Sequence, residues 1–330
     1  MPEVDILMAT YNGEKYITEQ IESILAQTFQ DFRLLIRDDG SSDNTPAIIE
    51  EYASRYPEKI EIVHDNVICR NPEKNFFQLL TYAQADYAMF CDQDDYWLPY
   101  KIQISLDFVK KAERENPGKA VCAFTGLARV DENLNSMDTL VALDLKKKQY
   151  NNLTNLILRS CVWGCTEIFN RKLYTSIGEY SESMIFHDHW LPEYACACGV
   201  LCHIPMALIL HRIHGNNVSV PLRKELGFKE RMLLRFNRIL TFLARPIESL
   251  TVSRKKFLIE QMRWRDCYLL FRARYSHNMS RDKRNELDNV IAMYGGGGGG
   301  GKLNGFVLFL QHAIFQDVHC IPMLSFSSND

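Results

Sequence analysis

Three carboxylates fall within four residues at Asp92-Gln93-Asp94-Asp95, directly after the apolar run Tyr87-Ala88-Met89-Phe90. Packing gives no reason for such a group, because a carboxylate leaves water only at a cost unless it is paired. A second acidic group, Asp38-Asp39-Gly40-Ser41-Ser42-Asp43, follows the run from Phe32 to Arg37, and an earlier run ends in Met8-Ala9-Thr10-Tyr11-Asn12-Gly13. Taken singly, Asp-Gly-Ser and Asn-Gly are also routine turn sequences. Carboxylates gathered without a cation raise one another's pKa, and a divalent ion relieves the repulsion. Hard oxygen ligands favour Mg2+ or Mn2+, which bridge protein carboxylates to phosphates, so a nucleotide diphosphate fits. Thr10, Tyr11 and Asn12 would offer a hydroxyl, an aromatic face and an amide to its base and ribose.

Those residues need a scaffold that brings them together. Over the first 115 residues, β-rich apolar runs alternate with amphipathic stretches, the pattern of an α/β fold whose mainly parallel sheet carries helices on both faces. Strands are expected at Val4 to Ala9, Phe32 to Arg37, Ile60 to His64 and Tyr87 to Phe90. Helices are expected at Glu14 to Gln27, Thr45 to Tyr56, Pro72 to Ala85 and after Pro99, the second capped by Asn44 with Pro46 in its first turn. Ligands of open α/β sheets bind outside the carboxyl ends of the strands, so both acidic groups should share one crevice. A β-rich run returns from Ala120 to Val130, followed by a loop or short hairpin to Tyr150. Helices at Asn152 to Arg159, at Arg171 to Ile177 and from Asp188 should precede a strand from Leu201 to Leu210.

The 330 residues are 46% apolar and 24% charged, which fits a globular chain. Residues 1–220 hold 20 Lys and Arg against 31 Asp and Glu, and residues 221–330 hold 18 against 10. The acidic front argues against a nucleic-acid partner, and the basic rear suits an anionic membrane surface or solvated helix faces. Four segments are expected: a catalytic domain over 1–220, a basic amphipathic helical extension over 221–294, a poly-Gly tether over 295–301 and a short apolar tail over 302–330. Phe228, Met232, Leu233, Phe236, Ile239, Leu240 and Leu243 recur at helical spacing among basic residues, a pattern for lying on a membrane or packing on the catalytic domain. The seven glycines read as a flexible segment or as the product of a slippage-prone guanine tract, and not as a phosphate loop. Met1-Pro2-Glu3-Val4 has no signal-like character and the ten cysteines lack zinc-ribbon spacing, so a cytoplasmic location with reduced thiols is expected.

Beyond these readings, Ala9-Thr10-Tyr11-Asn12, Asp38-Asp39-Gly40-Ser41 and Phe90-Cys91-Asp92-Gln93-Asp94-Asp95-Tyr96-Trp97-Leu98-Pro99 resemble the family 2 glycosyltransferases of the GT-A fold. Gly164-Cys165-Thr166, His187-Asp188-His189-Trp190 and Arg212-Ile213-His214-Gly215-Asn216-Asn217 extend the resemblance over residues 3 to 220. It is nearest to the bacterial rhamnosyltransferase-like branch that builds cell-surface polysaccharides. The resemblance implies that Asp39 contacts the base, Asp92 the ribose and Asp94 the Mg2+ or Mn2+ that holds the phosphates. It further implies that Asp188 is the catalytic base, Arg212 supports the leaving group and His214 is a further metal or pyrophosphate ligand. The family's Glu-Asp pair reads His187-Asp188 here, so one acid is missing and the aspartate remains. Asp95, Trp97, Trp163 and Trp190 are candidates for sugar or acceptor contacts, although aromatics in such a domain are more often core. His211 and His189 carry no decisive signal.

The implied reaction is inverting, because base and leaving group must lie on opposite faces of the sugar. The implied donor is dTDP-L-rhamnose and the implied acceptor is a lipid-linked or oligosaccharide precursor at the inner face of the membrane. A UDP-hexose or UDP-N-acetylhexosamine donor stays open. So do a sugar nucleotidyltransferase, against which stands the lack of a Gly-rich, Arg-containing loop after the first strand, and a non-catalytic nucleotide-sugar-binding protein.

Overall fold

The run Val4-Asp5-Ile6-Leu7-Met8-Ala9-Thr10 forms β1 (Val4–Thr10), covered on both faces as strands inside parallel sheets are. Its one charge is neutralised where it lies: Asp5 Oδ1 and Oδ2 accept Arg33 Nε and Nη2 at 2.9 and 3.0 Å, and Oδ2 also accepts the backbone N–H of Gln84 and Ala85. β2 (Phe32–Asp38) and β4 (Tyr87–Asp92) flank β1 in parallel, and β3 (Ile60–Ile62) continues beyond β2. The structure is a computed structural model that describes residues 1–65, 67–143, 145–159, 161–185, 187–215, 217 and 246–295. It falls into two compact units, one of Met1–Leu156 with Ser160–Ile213, the other of Ile157–Arg159 with the chain from His214.

In the first unit α1 (Ile17–Leu25) and α2 (Thr45–Arg55) cover one face of the sheet, where Ile17, Ile21, Ile24 and Ile49 join Val4, Ile6 and Met8 in one core. α3 (Pro72–Leu80) covers the other, where Phe76 meets Phe90 edge-on at 5.2 Å. β5 (Tyr96–Trp97), α4 (Lys101–Glu115), β6 (Val121–Val130) and β7 (Ser136–Val141) follow, and then α5 (Lys147–Tyr150), α6 (Leu153–Arg159), β8 (Glu167–Asn170), α7 (Arg171–Ser176), α8 (His187–Cys198) and β9 (Val200–Arg212). The strand order is β3-β2-β1-β4-β8-β6-β9-β5, with β7 paired to β6. Six strands point one way, while β5, β7 and β8 are reversed, so the sheet is mainly parallel as the alternating sequence predicts.

Several boundaries differ from the sequence pattern for local reasons. β4 runs two residues beyond Phe90, because Cys91 and Asp92 find ladder partners in Met8 and Ala9. The predicted helix at Glu14 begins at Ile17, after a turn in which the Tyr16 and Ile17 N–H groups donate to the Gly13 carbonyl. Asn44 makes no side-chain cap on α2; Asp43 does so from one residue earlier, accepting the Thr45 N–H at 3.0 Å. The stretch after Val130 is a short hairpin, β6 to β7. The two-residue β5 and the reversed β8 carry no periodic signal of their own and exist because β9, β4 and β6 offer them partners. Most of the described cysteines are buried.

The second unit is described through an antiparallel helix pair, α9 (Pro246–Tyr275) and α10 (Arg281–Gly295). Trp264, Tyr268 and Tyr294 stack at 5.9 to 6.2 Å between centroids, and Arg272 pairs with Asp288 at 2.5 Å. No described helix is long and apolar enough to cross a membrane. The basic amphipathic stretch from Phe228 to Leu243, the glycines after Gly295 and the tail over 302–330 lie outside the described residues.

Candidate active site

At one edge of the sheet the carboxyl ends of β1, β2 and β4 stand side by side, Thr10 beside Asp38 and Ala9 beside Asp92. β1 leads outward to β2 and β3 while β4 returns on its other side, a topological switch point of the kind where α/β sheets bind ligands. Hydrogen bonds fix both loops there. Thr10 Oγ1 donates to Asp38 Oδ1 at 2.8 Å, and Asp38 Oδ2 accepts the N–H groups of Gly40 and Ser41 at 3.1 and 2.8 Å. That turn carries Gly40 to φ 83°, a conformation costly for a residue with a Cβ. Asn12 Oδ1 accepts the Ser42 N–H at 2.8 Å, so this amide oxygen staples one loop to the other, whereas Tyr11 is 55% exposed. Gln93 clamps the Tyr11 backbone, its Oε1 accepting the N–H and its Nε2 donating to the carbonyl, both at 2.9 Å. Gly13 makes room for this clamp, since a Cβ there would lie 2.3 Å from Gln93 Oε1. Asp39 is buried, accepts the Cys69 N–H at 2.5 Å and stands 3.6 Å from the Arg37 guanidinium. Arg37 is itself buried and pairs with Asp65 at 2.7 Å, which lowers the Asp65 pKa.

Of the three clustered carboxylates, Asp92 and Asp94 are partly exposed and Asp95 is fully buried. Burial raises the Asp92 pKa well above the usual carboxylate range; Asp95, Asp94 and Asp188 add like charge and His211 opposes them. Asp95 Oδ1 accepts the His211 Nδ1–H at 2.8 Å and the Arg212 backbone N–H at 3.3 Å. Burial works against charge on His211, but the Asp95 carboxylate beside it prevails and raises the imidazole pKa. Arg212 is buried and donates from Nε to the Asp94 carbonyl at 2.9 Å, from Nη1 to the Glu132 carbonyl and from Nη2 to Glu19 Oε2, while lying 4.6 Å over the Tyr16 ring. It ties the end of β9 to the loops after β4 and β6 and to α1. Lys101 is buried 3.6 Å over the Trp97 ring, and burial lowers its pKa to about 7.

Two donor sets invite comparison as cation sites. Asp95, Cys165 and His211 place ligand atoms within 4.8 Å of one another. Their 2.8 Å Nδ1–Oδ1 separation is a hydrogen bond, however, since ligands sharing a tetrahedral ion stand roughly 3.4 Å apart given bonds of about 2.1 Å. Asp92 and Asp94 are partly exposed and offer oxygen only, a set that fits a hard divalent cation.

Asp188 lies in the first turn of α8 and borders a cleft with Val162, Pro192 and Glu193. It is among the charges that raise Asp92, which requires proximity because Coulomb interactions fade with distance and screening. The turn Gly164–Thr166 passes so close beneath it that a Cβ on Gly164 would lie 3.2 Å from Asp188 Cβ and 2.7 Å from His187 Nε2. His187 points into the core, stacked on Phe76 at 4.0 Å and edge-on to Phe90 at 5.1 Å, and burial lowers its pKa to about 4. Glu167 is fully buried with neither carboxyl oxygen hydrogen-bonded among the described residues, and burial, then Asp188, raise its pKa well above the usual range.

The family model described as glycosyl transferase family 2 matches residues 5–178, more than half of the chain and all three strand-end loops. The chain belongs to glycosyl transferase family 2. The dTDP-rhamnosyl transferase RfbG of Shigella flexneri is 28% identical over 221 residues, covering 64% of this chain and 72% of that protein. The chain spans between 29% and 64% of the length of the next five curated relatives. Among solved structures, S. aureus TarS 1-349 in complex with UDP superposes with a TM-score of 0.53 at 18% identity, covering 89% of this chain and 90% of that one. GalNAc-T7 with UDP, GalNAc and Mn2+ superposes with a TM-score of 0.50 at 11% identity, covering 65% and 44%. The fold is therefore GT-A, and the chain is a glycosyltransferase.

Within this family 2 domain Thr10, Asn12, Asp39, Asp92, Asp94 and Arg212 gather at one edge of the sheet, and Asp188 comes within electrostatic reach of Asp92. Trp97 and Trp190 are core residues without an exposed ring face, which corrects their reading as sugar or acceptor platforms; Trp163 is partly buried against the same core. Asp95 likewise turns inward instead of toward a ligand. His214 belongs to the second unit, where its N–H donates to Asn217 Oδ1, and Asn216 lies outside the described residues. The sequence pattern left His211 open and assigned no role to Glu19, Gln93, Lys101 or Glu167. Gln93, His211 and Glu19 act through partners 82 to 193 positions away, and burial is the largest influence on Lys101 and Glu167, neither of which spacing encodes.

Proposed function

We propose that this glycosyltransferase moves L-rhamnose from dTDP-L-rhamnose to a hydroxyl of a lipid-linked polysaccharide precursor, with inversion. The observation that carries the reading is the convergence of the Thr10, Asp39 and Asp92–Asp95 loops on one sheet edge with Asp188 in the field of Asp92. The rhamnosyl donor is favoured by the likeness to RfbG. Thr10, Tyr11, Asn12 and Asp39 would surround the base, Asp92 the ribose, and Arg212 would brace the loop beneath the diphosphate. Asp94, with Asp92 beside it, would hold Mg2+ or Mn2+, whose charge offsets that of the leaving diphosphate when bound. The Asp188 carboxylate takes the proton from the acceptor hydroxyl. That oxygen bonds to the anomeric carbon as the bond from that carbon to the phosphate oxygen breaks, its electron pair leaving with the nucleoside diphosphate. The basic rear half of the chain suits an anionic membrane leaflet carrying the acceptor.

Purified protein incubated with Mg2+ or Mn2+ and a panel of dTDP-L-rhamnose, UDP-hexoses and UDP-N-acetylhexosamines tests the reading. Turnover is expected with dTDP-L-rhamnose and should fall roughly 100-fold or more in Asp188→Asn, the usual scale for a lost general base. Transfer only from UDP sugars would replace the donor; transfer surviving both Asp94→Ala and Asp188→Asn would remove the assigned roles.

A further inference from the structure

Two consecutive residues of β9 hold two consecutive residues of the acidic loop. His211 donates from Nδ1 to Asp95 Oδ1 at 2.8 Å, and Arg212 donates from Nε to the Asp94 carbonyl at 2.9 Å. The loop's exit is fixed by the same strand, because Tyr96 and Trp97 pair with Leu210 and Ile209. Its entry is fixed by β1, which pairs with β4 up to Asp92. Between these anchors the three carboxylates divide, Asp95 fully buried and Asp92 and Asp94 partly exposed. A carboxylate accepts only, so Nδ1 of His211 carries the proton in this contact. The opposite ring atom, Nε2, has no hydrogen-bond partner among the described residues, which leaves the Asp95 bond as the polar role the ring performs here.

We infer that His211 is a positioning residue, holding Asp95 inward through its Nδ1–H so that the neighbouring Asp94 carboxylate is set for a divalent cation. The inference rests on the proposed role of Asp94. Removing a group that orients a metal-ligating segment commonly costs 10- to 100-fold in metal affinity. A merely structural histidine would change stability and leave the cation affinity of the folded protein unchanged.

The test is titration of the full chain with Mn2+, followed by electron paramagnetic resonance, in the presence of dTDP and separately of UDP. Asp94→Asn should abolish binding, and His211→Leu should weaken it at least about 10-fold. His211→Asn, whose amide N–H stands near the place of Nδ1, should stay within about 3-fold of the parent. His211→Leu leaves the buried Asp95 unpaired and can fail to fold, so the His211→Leu/Asp95→Leu double variant, which removes both partners, is measured alongside. It should fold and still bind Mn2+ at least about 10-fold more weakly. Parental affinity in folded His211→Leu or in the double variant, with Asp94→Asn inactive in binding, overturns the inference alone. Equal weakening in His211→Asn and His211→Leu also overturns it, because the donor would then not be the operative feature. Absence of Mn2+ binding by the parent with either nucleotide removes the underlying reading of Asp94 and this inference with it.

Discussion

Replacing Arg212 separates a clamp from a ligand contact. Its guanidinium holds the Asp94 carbonyl, the Glu132 carbonyl and Glu19, and covers the Tyr16 ring. Glu19 is 52% exposed at its side chain, so that ion pair is screened and contributes under about 1 kcal/mol. The two carbonyl bonds to a buried cation are each worth about 1.5–3 kcal/mol, and the contact with Tyr16 about 1 kcal/mol. Allowing for non-additivity among contacts that share one side chain, Arg212→Met should cost about 3–5 kcal/mol. Against a typical domain stability of about 5–15 kcal/mol, that leaves the fold marginal. Arg212→Lys keeps the charge but not the fork, and should cost about half as much. Urea unfolding followed by tryptophan fluorescence reads the effect. With an m-value of about 2 kcal/mol/M, the Arg212→Met midpoint should fall by roughly 2 M. A midpoint within about 0.5 M of the parent, combined with lost turnover, would refute the clamp and return Arg212 to the donor's leaving group.

His187, neutral in its aromatic site, gives a pH prediction. Burial holds its folded pKa at about 4, below the ordinary 6.5 of a free imidazole, so its contribution is fully present above pH 6.5 and is lost as pH falls toward 4. The shift corresponds to about 3 kcal/mol. His187→Phe should therefore flatten the acid limb of a stability-versus-pH series by that order while retaining transferase turnover; an unchanged limb, or abolished turnover in a folded variant, would count against a core role. Gly13→Ala should push Gln93 off the Tyr11 backbone and lower stability by about 1–2 kcal/mol, the worth of two partly exposed hydrogen bonds. Adding Gln93→Ala should cause little further loss in thermal melts, and a fully additive second loss would show that the clamp was not what Gly13 accommodates.

The parallel core of the fold was legible because β1 and β4 are runs of mostly apolar residues long enough to be buried on both faces. The acidic motifs were legible because charge directly after such a run must sit at a strand's carboxyl end. β5 and β8 were not legible, being two and four residues whose only warrant is an edge offered by strands far away in sequence. The same limit applied at the site. Asp92, Asp94 and Asp95 look alike in sequence, and only the approach of β9 turns one inward to His211 and leaves two partly exposed.

Residue types and local spacing thus determined the α/β architecture and the identity of the carboxylates at the strand ends, and the resemblance of those motifs to family 2 supplied the glycosyltransferase chemistry. Tertiary structure decided which polar groups face a ligand and which hold the scaffold. It made Arg212 a tie among four segments, His187 a core ring and Trp97 and Trp190 interior packing. The physical reason is that burial and hydrogen-bond partnership depend on what the rest of the chain brings to a residue, and local sequence carries no record of that.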